Sequence, residues 1–247
     1  MTDSNWPIDP NPVCIITGAG SGVGRDTACL MAEAGFRTTL ISRTEEKLQA
    51  TRALIEEEVD SPPESLILPL DLSSPEACQQ AVDKTVDHFG RIDAIANCAG
   101  DAPLQPIEKI TPDIVNHCLA INLNSVIFLT QAAWPHFRKQ KAGAISSVSS
   151  MASIDPFKGF NVYAAAKAGV NLFTKAAADE GQRMNITAFA IAPGAIETPM
   201  LRANFSEKAI PADNALDPMV VAGIVRDGIL RKGRFANGET FPLPSPH

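Results

Sequence analysis

The sequence of 247 residues predicts an α/β fold, a doubly wound parallel sheet of about seven strands with helices on both faces. Short apolar runs alternate with longer amphipathic stretches along the whole chain. The apolar runs are nearly continuous, as in strands covered on both sides, and the first of them stops at a cluster of glycines.

Residues 13–17 are that first run, followed by a helix over 22–34 and a second strand over 37–42. Thr44 opens a charged helix towards Val59, ended by Ser61-Pro62-Pro63 because proline lacks the N–H a helix needs. A third strand is predicted over 66–70. Ser74-Pro75-Glu76 is a strong helix start, with a capping serine, proline at the first helical position and an acid in the first turn. Beyond it Cys78, Ala81, Val82, Thr85, Val86 and Phe89 recur at i, i+3, i+4 spacing, so one face packs on the sheet. Residues 92–96 give the fourth strand, and Thr111-Pro112-Asp113 caps a long helix to about Lys139. A fifth strand over 143–149, a helix over 160–182, a sixth strand over 186–192, a last helix over 218–231 and a seventh strand over 239–243 complete the alternation. No linker, low-complexity tract or fixed-period repeat interrupts it. Residues 13–247 are therefore expected to form a single catalytic domain, with 1–12 a short N-terminal arm and 198–217 a short lid.

Composition narrows the function. Apolar residues make up 45% and charged residues 20%, ordinary globular values. No run of about 18 apolar residues appears, so no membrane-spanning helix is expected. Residues 1–12 are polar, hold three prolines and look like neither a signal nor a transit peptide, which points to the cytoplasm. A net charge of −7 argues against nucleic acid or an anionic membrane as partner. Arg138-Lys139-Gln140-Lys141 is the one basic cluster, read as a solvated helix end favoured by the dipole. The 5 cysteines include no C-x-x-C pair and read as buried thiols in a reducing compartment. The 4 histidines are not spaced as metal ligands, and no metal is expected.

Two motifs carry chemistry. Thr17-Gly18-Ala19-Gly20-Ser21-Gly22-Val23-Gly24 lies between a strand and a helix, where glycines allow a tight turn and close approach of the backbone to a ligand. The helix N-terminus beyond it offers free N–H groups and a positive dipole to an anion, the Rossmann-like cradle for a dinucleotide pyrophosphate. Gly18, Gly22 and Gly24 meet that need, although the spacing is looser than G-x-G-x-x-G; the plainer alternative is a flexible loop. NAD selection usually places an acid about 20 residues further on. Here Ser42-Arg43-Thr44 stands in that place. Arg43 can pair with a 2′-phosphate through charge-assisted hydrogen bonds, so NADP(H) is the predicted cofactor, with Ser42 and Thr44 as supporting donors. The competing account makes Arg43 an ordinary surface residue opening the helix.

The second motif is Tyr163-Ala164-Ala165-Ala166-Lys167, which puts Tyr163 and Lys167 on one helix face. A phenol titrates near 10, and bringing it to about 7 takes roughly 4 kcal/mol of preferential phenolate stabilisation. An ammonium close by, reinforced by an oxidised nicotinamide, can supply much of this. Alone, such a pair is common by chance.

With these residues in place, the chain resembles the short-chain dehydrogenase/reductase family over about residues 13–200. Asn97-Cys98-Ala99-Gly100 is similar to the family's N-A-G element with cysteine in one slot, and Ile121-Asn122-Leu123 falls where the family keeps an asparagine. Gly143-Ala144-Ile145-Ser146-Ser147-Val148-Ser149-Ser150 resembles the strand ending in its catalytic serine. Pro193-Gly194-Ala195-Ile196-Glu197-Thr198 resembles its turn beside the nicotinamide, and Asp71-Leu72 its pair near the adenine.

The resemblance implies roles. Tyr163 would be the general acid in reduction and the base in oxidation. Lys167 would lower its pKa and hold the nicotinamide ribose; Ser150 would bond the substrate oxygen; Asn122 would hold a water linking Lys167 to solvent. Ser150 is preferred because its distance to Tyr163 matches the family spacing, with Ser149 the runner-up. The cofactor would touch Gly18, Gly20, Ser21, Gly22, Val23, Gly24, Ser42, Arg43, Asp71, Leu72, Asn97, Ala99, Gly100, Tyr163, Lys167, Pro193, Gly194, Ile196 and Thr198. The implied activity is hydride transfer between a carbonyl and an alcohol in a homodimer or homotetramer paired through the long helices carrying Asn122 and Tyr163.

The end of the chain departs from the family: the prolines of Phe241-Pro242-Leu243-Pro244-Ser245-Pro246 are expected to forbid an extended ladder. Met151, Ile154, Phe157, Phe160, Met200, Leu201 and Phe205 are candidate pocket residues for a small-molecule ketone or alcohol, while Lys158 reads as a solvated loop lysine. Two other classes compete. A sugar-nucleotide epimerase or dehydratase needs a substantial substrate domain, for which the stretch after Thr198 leaves little room. A non-catalytic NADP(H) sensor or scaffold has no use for Asn122, Ser150, Tyr163 and Lys167 together.

Overall fold

Strand β1 (Val13–Thr17) is buried along its whole length because apolar side chains leave it in both directions. Cys14 and Ile16 enter one hydrophobic cluster and Ile15 the other, the period of two that a pleated strand imposes. The computed structural model describes residues 10–232 and 235–246; most of the expected N-terminal arm, residues 1–9, lies outside the described residues. Around β1 stand β2 (Arg37–Ser42), β3 (Ser65–Pro69), β4 (Ala94–Asn97), β5 (Gly143–Val148), β6 (Ile186–Pro193) and β7 (Thr240–Leu243). They form one 7-stranded sheet in the order β3-β2-β1-β4-β5-β6-β7. Every neighbouring pair is parallel.

Parallel strands need crossovers, and the helices supply them on both faces. Helix α1 (Gly22–Glu33) follows β1, and α2 (Glu45–Glu58) follows β2. Then come α3 (Pro75–Phe89), α4 (Pro112–Leu119), α5 (Ser125–Gln140), α6 (Asn161–Gly181), α7 (Pro199–Asn204) and α8 (Pro218–Ile229). α1 packs beside α8, and α3 beside α5. Met31, Phe36, Val221, Val225 and Ile229 close one apolar layer; Val82, Leu129, Phe137 and Ala178 close the other. The caps read from sequence are formed: Ser74 accepts from Ala77 N at 3.2 Å and Thr111 from Ile114 N at 3.4 Å.

Three findings refine the sequence reading. The long helix predicted from Thr111 runs through a π-helical turn, Ala120–Asn124, between α4 and α5. The same stretch, Pro112–Gln140, is a 29-residue helical run whose most apolar window has a mean hydropathy of 1.2. It is therefore long and apolar enough by length and composition to cross a membrane, contrary to the expectation that no such helix exists. Asn122, Asn124 and Gln131 break its apolar run in the sequence, and its Leu129, Ala132, Ala133 and Phe137 pack against the sheet. Finally, the seventh strand expected over 239–243 forms as a short one despite its proline: Pro242 stands opposite Ala192 in the parallel β6–β7 pair. Ala190 N and Gly194 N donate to Glu239 O and Leu243 O, so the odd-numbered residues carry this pairing. The missing N–H of Pro242 then faces away from β6, on the edge of the sheet.

Gly228 shows how closely α8 lies on the sheet: a Cβ there would fall 1.8 Å from Cζ of Phe189. Replacing glycine in a helix favours the helix by about 1 kcal/mol, whereas overpacking of this kind costs about 1–3 kcal/mol. Gly228→Ala is expected to lower the urea midpoint, the clash outweighing the helix propensity; an unchanged or raised midpoint would contradict this packing.

Candidate active site

β1 and β4 are neighbours whose connections run off to opposite sides, and a crevice opens at their carboxyl ends. Thr17 Oγ1 accepts the N–H groups of Cys98 and Ala99, each at 3.0 Å, and so fixes the two strand ends beside each other. Gly18 turns away from β1 with φ +68°, and a Cβ on it would sit 2.9 Å from Ala99 N. A Cβ on Gly24 would come within 2.3 Å of Gly18 O, so the first turn of α1 rests on the loop itself. Only bare backbone fits here, which leaves the N-terminus of α1 open to an anion and suits a dinucleotide pyrophosphate.

The cleft runs from this loop in both directions. Gly18, Gly20 and Ser21 line its floor; Ser42, Arg43, Asp71 and Leu72 line one end; Ala99 and Gly100 lie towards the other. Gly22, Val23 and Gly24 are buried beneath it in the first turn of α1. The turn after β6 closes in from the far side, since a Cβ on Gly22 would lie 2.9 Å from Thr198 Cγ2. Thr198 Oγ1 accepts from Leu201 N at 3.3 Å and so caps α7, while Ser245 Oγ accepts from Ala195 N at 2.7 Å and ties the C-terminal segment to the same turn. Asn97, at the end of β4, is buried and its amide donates to Ser147 Oγ at 3.2 Å, bracing β4 against β5.

At the end carrying Arg43, that guanidinium is exposed and Ser42 Oγ donates to Thr44 O at 3.3 Å. Lys47 lines the same wall, its Cβ 3.0 Å from where a Gly20 Cβ would be. Sequence reasoning missed it, though its place in the first turn of α2, just beyond Arg43, was a usable signal. Asp101 and His117, paired at 3.1 Å, also line the cleft and were missed. They come together only through the fold.

At the opposite end, α6 presents Tyr163 and Lys167 one turn apart. Lys167 is 4% exposed; its Nζ donates to Val148 O at 2.8 Å and lies 5.8 Å from the Tyr163 ring centre. The Ser150 hydroxyl acts on the phenol, drawing its pKa down, and accepts from Ala152 N at 3.1 Å. Ser149 points elsewhere, donating to Lys167 O at 3.1 Å from a buried position. Thus Ser150, not Ser149, shares a site with Tyr163.

Asn122 occupies the π-helical turn, where the extra residue rotates its side chain out of the helical ladder. Its Nδ2 donates to Asp101 O at 2.7 Å and Cys118 O at 2.9 Å, and its Oδ1 accepts from Asp101 N at 3.2 Å. The side chain therefore pins the chain beyond β4, and only one acceptor site on Oδ1 is left for the expected water. Gly100 separates this oxygen from the lysine: a Cβ there would lie 2.9 Å from Asn122 Oδ1 and 3.5 Å from Lys167 Nζ.

Desolvation is the largest influence on both ionisable groups. Burial pushes Tyr163 up to about 12; the Ser150 hydrogen bond opposes it, and Cys118 and Asp101 push further upward. Burial likewise brings Lys167 down to about 8, with Cys118 and Cys98 pulling back. The cysteines are free thiols, and burial raises Cys98 to about 12. Among the described residues, no group of three or more His, Cys, Asp or Glu could hold a metal ion.

Comparison with known proteins agrees with this geometry. Residues 12–209 match the family model described as short chain dehydrogenase. The chain is 37% identical over 191 residues to a 3-oxoacyl-[acyl-carrier-protein] reductase FabG of Thermotoga maritima, covering 76% of this chain and 75% of that one. It is 34% identical over 192 residues to a levodione reductase of Leifsonia aquatica, covering 76% and 71%. The crystal structure of levodione reductase superposes with a TM-score of 0.87 at 30% identity, over 94% of this chain and 95% of the other. With the family model spanning most of the chain, and the glycine loop and Tyr163–Lys167 pair at the carboxyl edge of a seven-stranded parallel sheet, the protein belongs to the short-chain dehydrogenase/reductase family of oxidoreductases.

Proposed function

We propose that the protein is an NADP(H)-dependent oxidoreductase that interconverts a ketone or aldehyde and an alcohol, with Tyr163 as general acid and base. The observation that carries this reading is the convergence of Ser150, Tyr163, Lys167 and Asn122 beside the glycine-lined cleft. Reductases among its relatives support carbonyl chemistry. When bound, the nicotinamide cofactor used by this family supplies or accepts the hydride.

The chain's own groups handle the oxygen and its proton. In reduction the carbonyl oxygen gains negative charge, which the Ser150 hydroxyl stabilises by hydrogen bonding while the Tyr163 phenol donates its proton. A phenol held up near 12 is protonated at neutral pH, the state that donation requires. Oxidation needs the phenolate, and the Lys167 ammonium is the positive group that favours it. Gly100, lacking a Cβ, leaves open the space beside Asn122 Oδ1 and Lys167 Nζ that a water linking them would take. NADP(H) is favoured because Arg43 and Lys47 offer two cations where β2 ends without a carboxylate. In this reading residues 13–247 act as one catalytic domain with 198–217 as its lid. Two or four copies pair through the helices that carry Asn122 and Tyr163, where Leu172 of α6 is exposed.

Tyr163→Phe is expected to lower turnover by about 10²–10⁴-fold, with NADPH affinity, read by fluorescence titration, nearly unchanged. Arg43→Asp should weaken NADPH binding by about tenfold or more, with NADH binding much less affected. Equal effects on the two would remove the NADP(H) assignment. Lys167 also makes stability depend on pH. Its folded value of about 8 lies below its ordinary 10.5, so between these the unfolded chain holds more protons and stability rises with pH. Wild type is expected to gain on Lys167→Met across this window by at most about 1.4 kcal/mol per pH unit in urea unfolding.

A further inference from the structure

Phe160 stands next to the reacting phenol and connects three segments. Its ring lies 5.4 Å from that of Tyr163, tilted by 50°. Phe205, at the end of α7, meets it edge-on at 6.0 Å, and Phe157, from the loop before α6, at 6.4 Å. The chain after β4 joins the same rim: Gln105 N donates to Gly159 O at 3.0 Å, Asn161 Nδ2 to Gln105 O at 2.8 Å, and Asn204 Nδ2 to Ala102 O at 3.1 Å. These segments also leave large apolar side chains in water, Phe157 at 68% exposed, Ile154 at 56%, Met200 at 38% and Leu104 at 36%. Apolar surface gathered around a reactive group marks what that site is built to receive.

Charge narrows the choice. Arg202 is the one cation of α7, and Glu197 holds it with two hydrogen bonds while Ile210 O takes a third. α7 thus offers no uncommitted positive group to a carboxylate or phosphate, and the lysines of the flanking loops, Lys158 and Lys208, are exposed to solvent.

We propose that the substrate is an uncharged ketone, or the matching secondary alcohol, whose ring or branched hydrocarbon body lies against Phe160. It is taken as a free small molecule, not as an acid or a carrier-bound thioester. The proposal rests on the oxidoreductase reading of Tyr163. In reduction the hydride passes from the reduced nicotinamide to the carbonyl carbon and the C=O π pair moves to oxygen. Tyr163 Oη supplies the proton, and the products are the secondary alcohol and oxidised nicotinamide; the phenol regains its proton from solvent. A flat ring can stack or sit edge-on against Phe160 as Phe157 and Phe205 do, and its burial adds to the contact.

The test compares substituted cyclohexanones and aryl ketones with straight-chain 2-ketones, keto acids and acetoacetyl thioesters, using NADPH and NADH in parallel. The expected result is a kcat/KM at least about tenfold higher for neutral ring ketones than for the acids and thioesters. Phe160→Ala should collapse the preference for ring over straight-chain ketones, mainly through KM, and Phe160→Leu should restore part of it. Thermal melts and NADPH titration show whether each variant is folded. Binding is read apart from turnover by saturation-transfer NMR, which should mark the ring protons of the ketone in wild type and lose them in Phe160→Ala. Faster turnover of keto acids, with Lys158 recruiting the carboxylate, or of thioesters, overturns this proposal and leaves the oxidoreductase reading standing. So does an unchanged ring preference in folded Phe160→Ala. Ring ketones that bind against Phe160 and are never reduced overturn the oxidoreductase reading instead.

Discussion

Where β1 meets β4 the sheet reverses its winding, and one hydroxyl, Thr17 Oγ1, holds the N–H groups of Cys98 and Ala99 there at 3.0 Å. Both strands must leave the sheet at this point, so backbone from two distant parts of the chain crowds one place. The crowding leaves no room for side chains at Gly18 and Gly24, whose Cβ atoms would collide with Ala99 N and Gly18 O. The resulting gap is walled by peptide groups and the open end of a helix, the arrangement that attracts a dinucleotide. Remove the close approach and the cleft loses its floor.

The other end of the site is built on a second constraint, a half-buried phenol beside a buried ammonium. Desolvation opposes charge on both, raising Tyr163 and lowering Lys167. Lys167 keeps a firm position through Val148 O, the last carbonyl of β5, so the helix bearing the phenol is fastened to the strand that leads to Ser150. The π-helical turn at Ala120–Asn124 serves the same end, since it turns Asn122 towards Asp101 and anchors the segment beyond β4.

The aromatic cluster beside the phenol joins these parts. Phe160 lies against Tyr163 on one side and Phe205 on another, so α6, the end of α7 and the loop before α6 meet at this ring. Arg202 holds α7 against Glu197 and Ile210, and Ser245 steadies the turn from which it springs. Polar groups thus hold the scaffold while apolar rings gather beside Tyr163.

Local physics made much of this readable from the chain alone. Nearly continuous apolar runs revealed β1, β4 and β6, because a strand covered on both sides has no polar face to show. Capping chemistry placed α3 and the start of α4, since Ser74 and Thr111 satisfy N–H groups within their own turns. The glycine loop and the Tyr163–Lys167 spacing likewise act over a few residues. Whatever depended on residues far apart was hidden. The π-helical turn answers to Asp101, β7 tolerates Pro242 because it is an edge strand, Asn97 is claimed by Ser147, and Lys47, Asp101 and His117 reach the cleft only through packing. Desolvation was also out of reach: a sequence shows that an ammonium follows a phenol by one helical turn, but only the fold determines how much water either retains.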